Sequence, residues 1–124
     1  MAASSDSPIK PQITFGKFEN VDMRVARVIR APIAEGTRAP SRVFELDLGP
    51  LGTRTSVGQY ALIAEDDLVG KNVVACVNLG SRPMGRYVSE VLVLGAPHPE
   101  SPSDQSQASP LYVSSDVAPG SRIF

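Results

Sequence analysis

"AEDDLVGK", residues 64–71, lies between two groups of strand-like segments, and it decides the fold. The carboxylates at positions 65–67 suit the positive N-terminal end of a helix dipole, and Gly70 is a typical helix stop. The segment therefore predicts a short helix. Three adjacent carboxylates also suit a metal ion, but a helix start explains them more simply, so we expect no metal site here.

Three segments before this helix have the character of β-strands. Residues 21–32, "VDMRVARVIRAP", contain many β-branched side chains, which favours a strand, although their spacing also fits a helical stripe. The alternation changes phase between Val25 and Ala26, which predicts a bulge that bends the strand. Residues 42–49 and 53–58 are joined by the turn "GPLG" and are predicted to form a β-hairpin.

Two further apolar runs follow the helix, at residues 72–79 and 89–95. The order of three strands, a short helix and two strands is that of the OB-fold, an all-β, five-stranded β-barrel. A split barrel or a small sandwich has the same number of strands. The position of the helix between strands 3 and 4 favours the five-stranded OB-fold, with N- and C-terminal extensions.

The length of 124 residues predicts one domain. Residues 1–12 are rich in Ser, Pro and Ala and are predicted to form a flexible N-terminal arm. Residues 13–124 then form the single domain with its C-terminal extension, in which the Pro/Ser-rich residues 97–110 are expected to form a surface loop. The absence of a signal sequence and of a long apolar run leads us to expect a cytoplasmic protein without membrane insertion.

Catalytic motifs are missing from the sequence. His98 is its one histidine and lies in the proline-rich stretch "APHPE", and its one cysteine, Cys76, excludes an internal disulfide. No glycine motif for phosphates and no metal-ligand spacing occurs. We therefore expect no enzymatic activity, no cofactor and no metal.

The kind of positive charge is more informative than its amount. The formal net charge is −1, yet nine of the twelve basic residues are arginine, whose planar fork suits phosphate. OB-folds bind ligands on strands 2 and 3, between the loop that joins strands 1 and 2 and the loop that joins strands 4 and 5. The predicted order brings five arginines to this face: Arg38, Arg42, Arg54, Arg82 and Arg86. Met84 and Tyr87 offer apolar area for an unstacked base.

Several motifs in order resemble the tRNA-binding domain family. They are "VDMRVARVI", the serine of "RTSVGQY", "EDDLVGKNVVACVNL", "RPMG" and "SEVLVLGA", and the similarity extends over about residues 18–96. That family includes the EMAP-like modules of aminoacyl-tRNA synthetases and the CsaA-type secretion chaperones, and the sequence is most similar to the CsaA branch. The resemblance implies an OB-fold whose extensions pair two chains into a homodimer. It also implies tRNA contacts by Ser56, Asn78, Met84, Ser89 and Glu90.

The sequence thus predicts a homodimeric OB-fold module that binds tRNA or another structured RNA. The candidate RNA-binding residues are Arg42, Arg54, Ser56, Asn78, Arg82, Met84, Arg86, Ser89 and Glu90. The candidate dimer contacts are Phe15, Phe18, Ile123 and Phe124. An alternative is a CsaA-like chaperone that binds unfolded or export-destined polypeptides through the same groove or the dimer seam, and a third is a scaffold that has lost its ligand.

Overall fold

The computed structural model describes residues 7–101 and 106–124. The first six residues of the predicted arm and residues 102–105 of the predicted Pro/Ser-rich loop lie outside the described residues. Its helix is α1, Phe15–Glu19. Its strands are β1 (Met23–Arg30), β2 (Arg42–Asp47), β3 (Thr53–Gly58), β4 (Asn72–Cys76), β5 (Arg82–Met84), β6 (Tyr87–Ser89), β7 (Leu92–Val93), β8 (Gly95–Pro97), β9 (Ala108–Pro110), β10 (Tyr112–Val113) and β11 (Arg122–Ile123).

The strands pair antiparallel, in a main sheet ordered β10-β4-β1-β2-β3. β11 pairs with the first residues of β1, and β7 pairs with the end of β4. β5–β6 and β8–β9 form two separate hairpins. The predicted hairpin of β2 and β3 is confirmed, in a register that places Phe44 opposite Ser56. The fold is therefore mostly antiparallel β-sheet, as the sequence predicts.

The bend in β1 differs in position from the prediction. Val25 and Ala26 are both buried, but β1 keeps a continuous register with β4 through both residues. The register shift occurs against β2, between Val28 and Arg30. Since neighbouring residues of a strand point to opposite faces, burial of both Val25 and Ala26 means that both sheet faces are covered there. The phase change reflects this coverage and not a bulge.

The predicted helix at residues 64–71 is a single 3-10 turn, Glu65–Asp67. Gly70, with φ +84°, ends the segment as expected. The Glu65 carboxylate accepts a hydrogen bond of 2.8 Å from the backbone N–H of Ala31, across the structure. Leu68 is fully buried immediately after the turn. The segment ends after one turn, where the backbone N–H of Gly70 donates to the carbonyl of Val28 on β1 at 2.8 Å.

The predicted fifth strand is divided into pieces. β6 ends at Ser89, and the next two backbone N–H groups, of Glu90 and Val91, donate to the carbonyl of Thr55 on β3. The chain then pairs with β4 only at Leu92–Val93. β8 and β9 pair the two ends of the predicted 97–110 loop, so its ends are ordered as a hairpin.

The core is formed by side chains of β1, β2, β4 and β7 together with Tyr60 and Leu68. Its largest fully buried apolar side chains are Phe44, Leu46, Leu48, Leu68, Val25, Val28 and Val73. The ring of Phe44 meets Tyr60 edge-on, with 5.2 Å between the centroids. The Tyr60 hydroxyl donates to the carbonyl of Val93 at 2.8 Å, and burial raises the pKa of Tyr60 to about 12. These contacts join β2, the segment after β3, and β7.

The C-terminal segment is attached to the sheet through Gly120. Its backbone N–H donates to the carbonyl of Val25 at 2.7 Å, and its φ is +88°. A Cβ atom at this position would lie 2.4 Å from the carbonyl oxygen of Leu48. The close approach fixes the start of β11 beside β1.

Candidate nucleic-acid interface

The arginine-bearing loop of the sequence folds as the β5–β6 hairpin. Its tip is the pair Gly85–Arg86, and Gly85 has φ +61°. Glycine at the first central position with positive φ is typical of a type II′ turn, which matches the twist of a hairpin. Arg82 and Arg86 are exposed, and Met84 is half-buried. The hairpin therefore presents an apolar side chain with one exposed cation before it and one after it in the chain.

A groove of about 320 Å³ lies between this hairpin, β3 and β7. Three predicted site residues, Ser56, Arg82 and Met84, line it. Gln59 and Leu92 line it as well, and sequence reasoning missed both. Nothing local distinguishes Leu92 from a core residue of an apolar strand. Leu92 lies on the surface because successive residues of a strand face opposite sides, and its neighbours Val91 and Val93 face the core.

Arg42 does not lie on this surface, and its predicted phosphate contact is corrected. Its side chain is 8% exposed. Its Nε donates to the carbonyl of Ile63 at 3.0 Å, and its Nη1 donates to the carbonyl of Ala31 at 2.7 Å. These bonds hold two loops together, so Arg42 is a structural residue.

Arg54 occupies an intermediate position. It lies opposite Leu46 in the β2–β3 register and therefore on the core side of the sheet, where it is half-buried at the strand end. Its Nη1 donates to the carbonyl of Thr53 at 3.0 Å. The opposite face of these strands carries Glu45 and Asp47. The prediction that five arginines converge on the β2–β3 face is therefore wrong, because the register turns Arg42 and Arg54 away from it.

Ser89 and Glu90 contact the outer edge of β3. Ser89 Oγ accepts from the N–H of Val57 at 3.0 Å and donates to the carbonyl of Val91 at 3.1 Å. Glu90 Oε1 accepts from the N–H of Thr55 at 2.8 Å. Two side chains thus take the place of a neighbouring strand. We assign them the role of holding the hairpin against β3.

Asn78 joins the root of the hairpin to the N-terminal segment. Its Oδ1 accepts from the N–H of Asp22 at 2.9 Å, and its Nδ2 donates to the carbonyl of Asn20 at 2.7 Å. Both polar atoms of the amide are engaged with the backbone. Asn78 therefore positions the chain where β4 gives way to the hairpin.

The tip of the hairpin rests on loop 1, residues 31–41. The backbone N–H of Glu35 donates to the Tyr87 hydroxyl at 3.1 Å, and the Glu35 carboxylate forms an ion pair with Arg86. The Glu35 N–H and then the Arg86 guanidinium lower the pKa of Tyr87. Tyr87 and then Glu35 raise the pKa of Arg86, whose Cζ lies 5.6 Å from the centroid of the Tyr87 ring. Loop 1 and the hairpin tip thus form one polar surface.

A second surface joins the two ends of the chain. A cleft of about 210 Å³ is lined by all four predicted dimer residues, Phe15, Phe18, Ile123 and Phe124. Phe15 is 72% exposed and Phe124 is 97% exposed. Four apolar side chains are therefore brought together with little cover from the rest of the described chain.

Within residues 7–101 and 106–124, no three His, Cys, Asp or Glu side chains are placed to hold a metal ion. The helix that this part of the chain contains is too short to cross a membrane.

Comparison with known proteins relates the sequence to methionine–tRNA ligases, although no family model matches it. It is 36% identical over 128 residues to the methionine–tRNA ligase of Cupriavidus pinatubonensis, which covers 98% of this chain and 18% of the ligase. It is 36% identical over 93 residues to that of Chloroherpeton thalassium, with coverage of 75% and 13%. The chain spans less than a fifth of the length of these curated relatives.

The fold matches solved structures along most of its length. The chaperone CsaA from Bacillus anthracis has a TM-score of 0.81 and 29% identity, covering 92% of this chain and 100% of that one. The CsaA chaperone protein of Picrophilus torridus has a TM-score of 0.81 and 25% identity, covering 91% of this chain and 100% of that one. A protein related to methionyl-tRNA synthetase from Pyrococcus horikoshii shares the fold, with a TM-score of 0.78 and 22% identity, covering 93% and 100%.

Proposed function

Because this chain is a tRNA-binding domain homologous to a region of methionine–tRNA ligases and to CsaA chaperone structures, we propose that it binds tRNA without catalysing a reaction. The observation that carries the proposal is the groove beside the hairpin, where Arg82 and Met84 meet. Cationic and apolar side chains in one groove are what an unstacked base on a phosphate backbone requires.

The proposed contacts divide by chemistry. Arg82, at the start of β5, and Arg86, at the hairpin tip, are both exposed and neutralise phosphates. Met84 and Leu92 provide the apolar surface for a base, and Gln59 lines the same groove. Ser56, Asn78, Ser89 and Glu90 support this surface from behind through the sheet and the hairpin root.

We also infer that the sheet closes into the OB barrel through β3. The Thr55 carbonyl accepts hydrogen bonds from Glu90 and Val91, and Ser89 and Glu90 bind the same edge. These contacts support closure because β3 is the last strand of the main sheet, and the segment that it binds leads into β7, which pairs with β4. A closed barrel fixes the hairpin relative to β3 and so preforms the groove.

The first test removes one cation and one apolar side chain from the groove together. We expect Arg82→Ala with Met84→Ala to weaken binding of unfractionated tRNA about 10- to 30-fold at low salt, since a phosphate contact and a base-stacking surface are both lost. Filter binding at two salt concentrations measures the affinity and its salt dependence.

The matched control is Val69→Ala with Lys71→Ala, which likewise removes one apolar side chain and one exposed cation, but outside the groove. We expect this variant to bind tRNA within about twofold of the original chain, since distant exposed charges are largely screened. Equal affinity of the two double variants would overturn the proposed site.

We infer that two chains pair through the cleft formed by α1 and β11. Phe15 and Phe18 lie with their ring centroids 6.0 Å apart, and both face this cleft together with Phe124. A contiguous apolar surface of this kind marks an interaction site in a water-soluble fold. A homodimer would present two grooves to one RNA and raise the avidity if their spacing fits.

Phe15→Ser with Phe124→Ser is expected to convert a dimer to a monomer in light scattering at micromolar concentration, because both side chains are exposed in the described part of the chain and a partner would cover them. Ile33→Ser is the control, since Ile33 is 51% exposed but lies in loop 1, away from the cleft. Unchanged mass in the double variant would contradict this interface.

A chaperone function is the second candidate, and one observation favours it. This chain covers the whole of the two CsaA structures but less than a fifth of the ligases. Met84 and Leu92 would then provide adaptable apolar contacts for an extended polypeptide. Two results would support this function over the first. The chain would bind an unfolded polypeptide with an affinity that changes little with salt, and tRNA would not compete for that binding.

A further inference from the structure

The carboxylate of Glu35 neutralises one of the arginines of the proposed RNA surface. It forms an ion pair with Arg86, and the two side chains are 75% and 64% exposed. Because both groups are open to solvent, the pair contributes little to stability and can exchange partners readily. A phosphate oxygen and a carboxylate oxygen make the same kind of bidentate contact with a guanidinium.

We propose that Glu35 is a specificity residue of the RNA site, a built-in competitor that RNA phosphate must displace from Arg86. The inference rests on the proposed RNA-binding function and deepens it. A polyanion that only passes near the surface does not replace the carboxylate. An RNA that is held in the groove, with a phosphate on Arg82 and a base on Met84, presents a further phosphate at high local concentration, and that phosphate can exchange for Glu35.

The charge of Glu35 can be removed without disturbing loop 1, because the backbone of this loop makes the other contacts with the hairpin tip. The N–H of Glu35 donates to the Tyr87 hydroxyl at 3.1 Å, and the Gly36 carbonyl lies 3.4 Å from where a Cβ on Gly85 would be. Neither contact involves the Glu35 side chain. Glu35→Gln therefore removes the negative charge and leaves the contact between loop 1 and the hairpin tip in place.

The test compares four variants in filter binding with unfractionated tRNA at low salt: Glu35→Gln, Asp116→Asn, Arg86→Gln, and Arg86→Gln with Glu35→Gln. We expect Glu35→Gln to bind about two- to fivefold more tightly than the original chain, in line with the strength of an exposed ion pair. Asp116→Asn also removes one exposed carboxylate, in the segment whose Ser114 and Val117 carbonyls accept from Asn72 at the start of β4, and is expected to change the affinity by less than about twofold. In an Arg86→Gln background, Glu35→Gln is expected to have no more effect than Asp116→Asn.

Three results would overturn the inference. Equal gains from Glu35→Gln and Asp116→Asn would mean that only net charge matters. A gain that persists in the Arg86→Gln background would mean that Glu35 does not act through Arg86. Weaker binding by Glu35→Gln would mean that the carboxylate positions Arg86 or binds a ligand itself, as a cationic polypeptide would require. In each of these cases the original chain still binds tRNA, whereas a chain that fails to bind tRNA overturns the proposed function.

Discussion

Phe44→Ala is expected to lower the free energy of unfolding by about 3–5 kcal/mol, the usual cost of truncating a fully buried phenylalanine. Phe44 has 0% exposure and lies at the centre of β2. Its ring packs edge-on against Tyr60, whose hydroxyl binds the carbonyl of Val93. The substitution leaves a cavity and also loosens the tyrosine that joins the segment after β3 to β7.

Urea unfolding followed by circular dichroism measures this change. Leu62→Ala provides the control, since Leu62 is 49% exposed and its truncation is expected to cost about 0.5 kcal/mol. A loss below about 1 kcal/mol for Phe44→Ala would contradict a core packed around this ring. Because Tyr60 also lines the groove, the same variant should bind tRNA more weakly even where it remains folded.

Gly120→Ala is expected to lower the free energy of unfolding by about 3 kcal/mol, from two causes. The φ of +88° is strained for alanine, and the added Cβ would lie 2.4 Å from the Leu48 carbonyl oxygen. Backbone atoms cannot yield as a flexible side chain does, so the C-terminal segment must separate from the turn after β2. The start of β11 would move with it.

Gly70→Ala separates these two causes. Gly70 has nearly the same φ, +84°, but a Cβ there meets nothing within 4 Å. We expect it to cost about 1 kcal/mol, the strain of the left-handed backbone alone. Thermal unfolding of both variants gives the difference, which is the cost of the close approach. Equal values would mean that the C-terminal segment adjusts freely at Gly120.

Local sequence patterns predicted the elements whose partners are near in the chain. The β2–β3 hairpin follows from alternation around a glycine turn, and both strands lie within residues 42–58. The turn at Glu65–Asp67 also lies where acidic residues and Gly70 place it. The predicted fifth strand, residues 89–95, is longer than the observed β7. Its residues pair with β4 only at Leu92–Val93, because the residues before them bind β3. Distant partners of this kind leave no local signal in one sequence.

The site illustrates the same limit with a pair of arginines. Arg42 and Arg86 have the same side chain, and both lie beside a loop of the predicted barrel. The β2–β3 register places Arg42 among backbone carbonyls in the interior, whereas the hairpin exposes Arg86 beside Glu35. The convergence of Arg82 and Met84 on one groove was predictable because both lie on a single hairpin.

The seal on β3 by Ser89 and Glu90 has a consequence for solubility. An uncovered strand edge presents unpaired N–H and carbonyl groups and can recruit a strand from another molecule. Here the edge at Thr55 and Val57 is protected by one hydroxyl and one carboxylate. Ser89 and Glu90 therefore block the edge of β3 from pairing with a strand of another molecule. Losing this seal would expose a template for self-association beside the proposed tRNA groove.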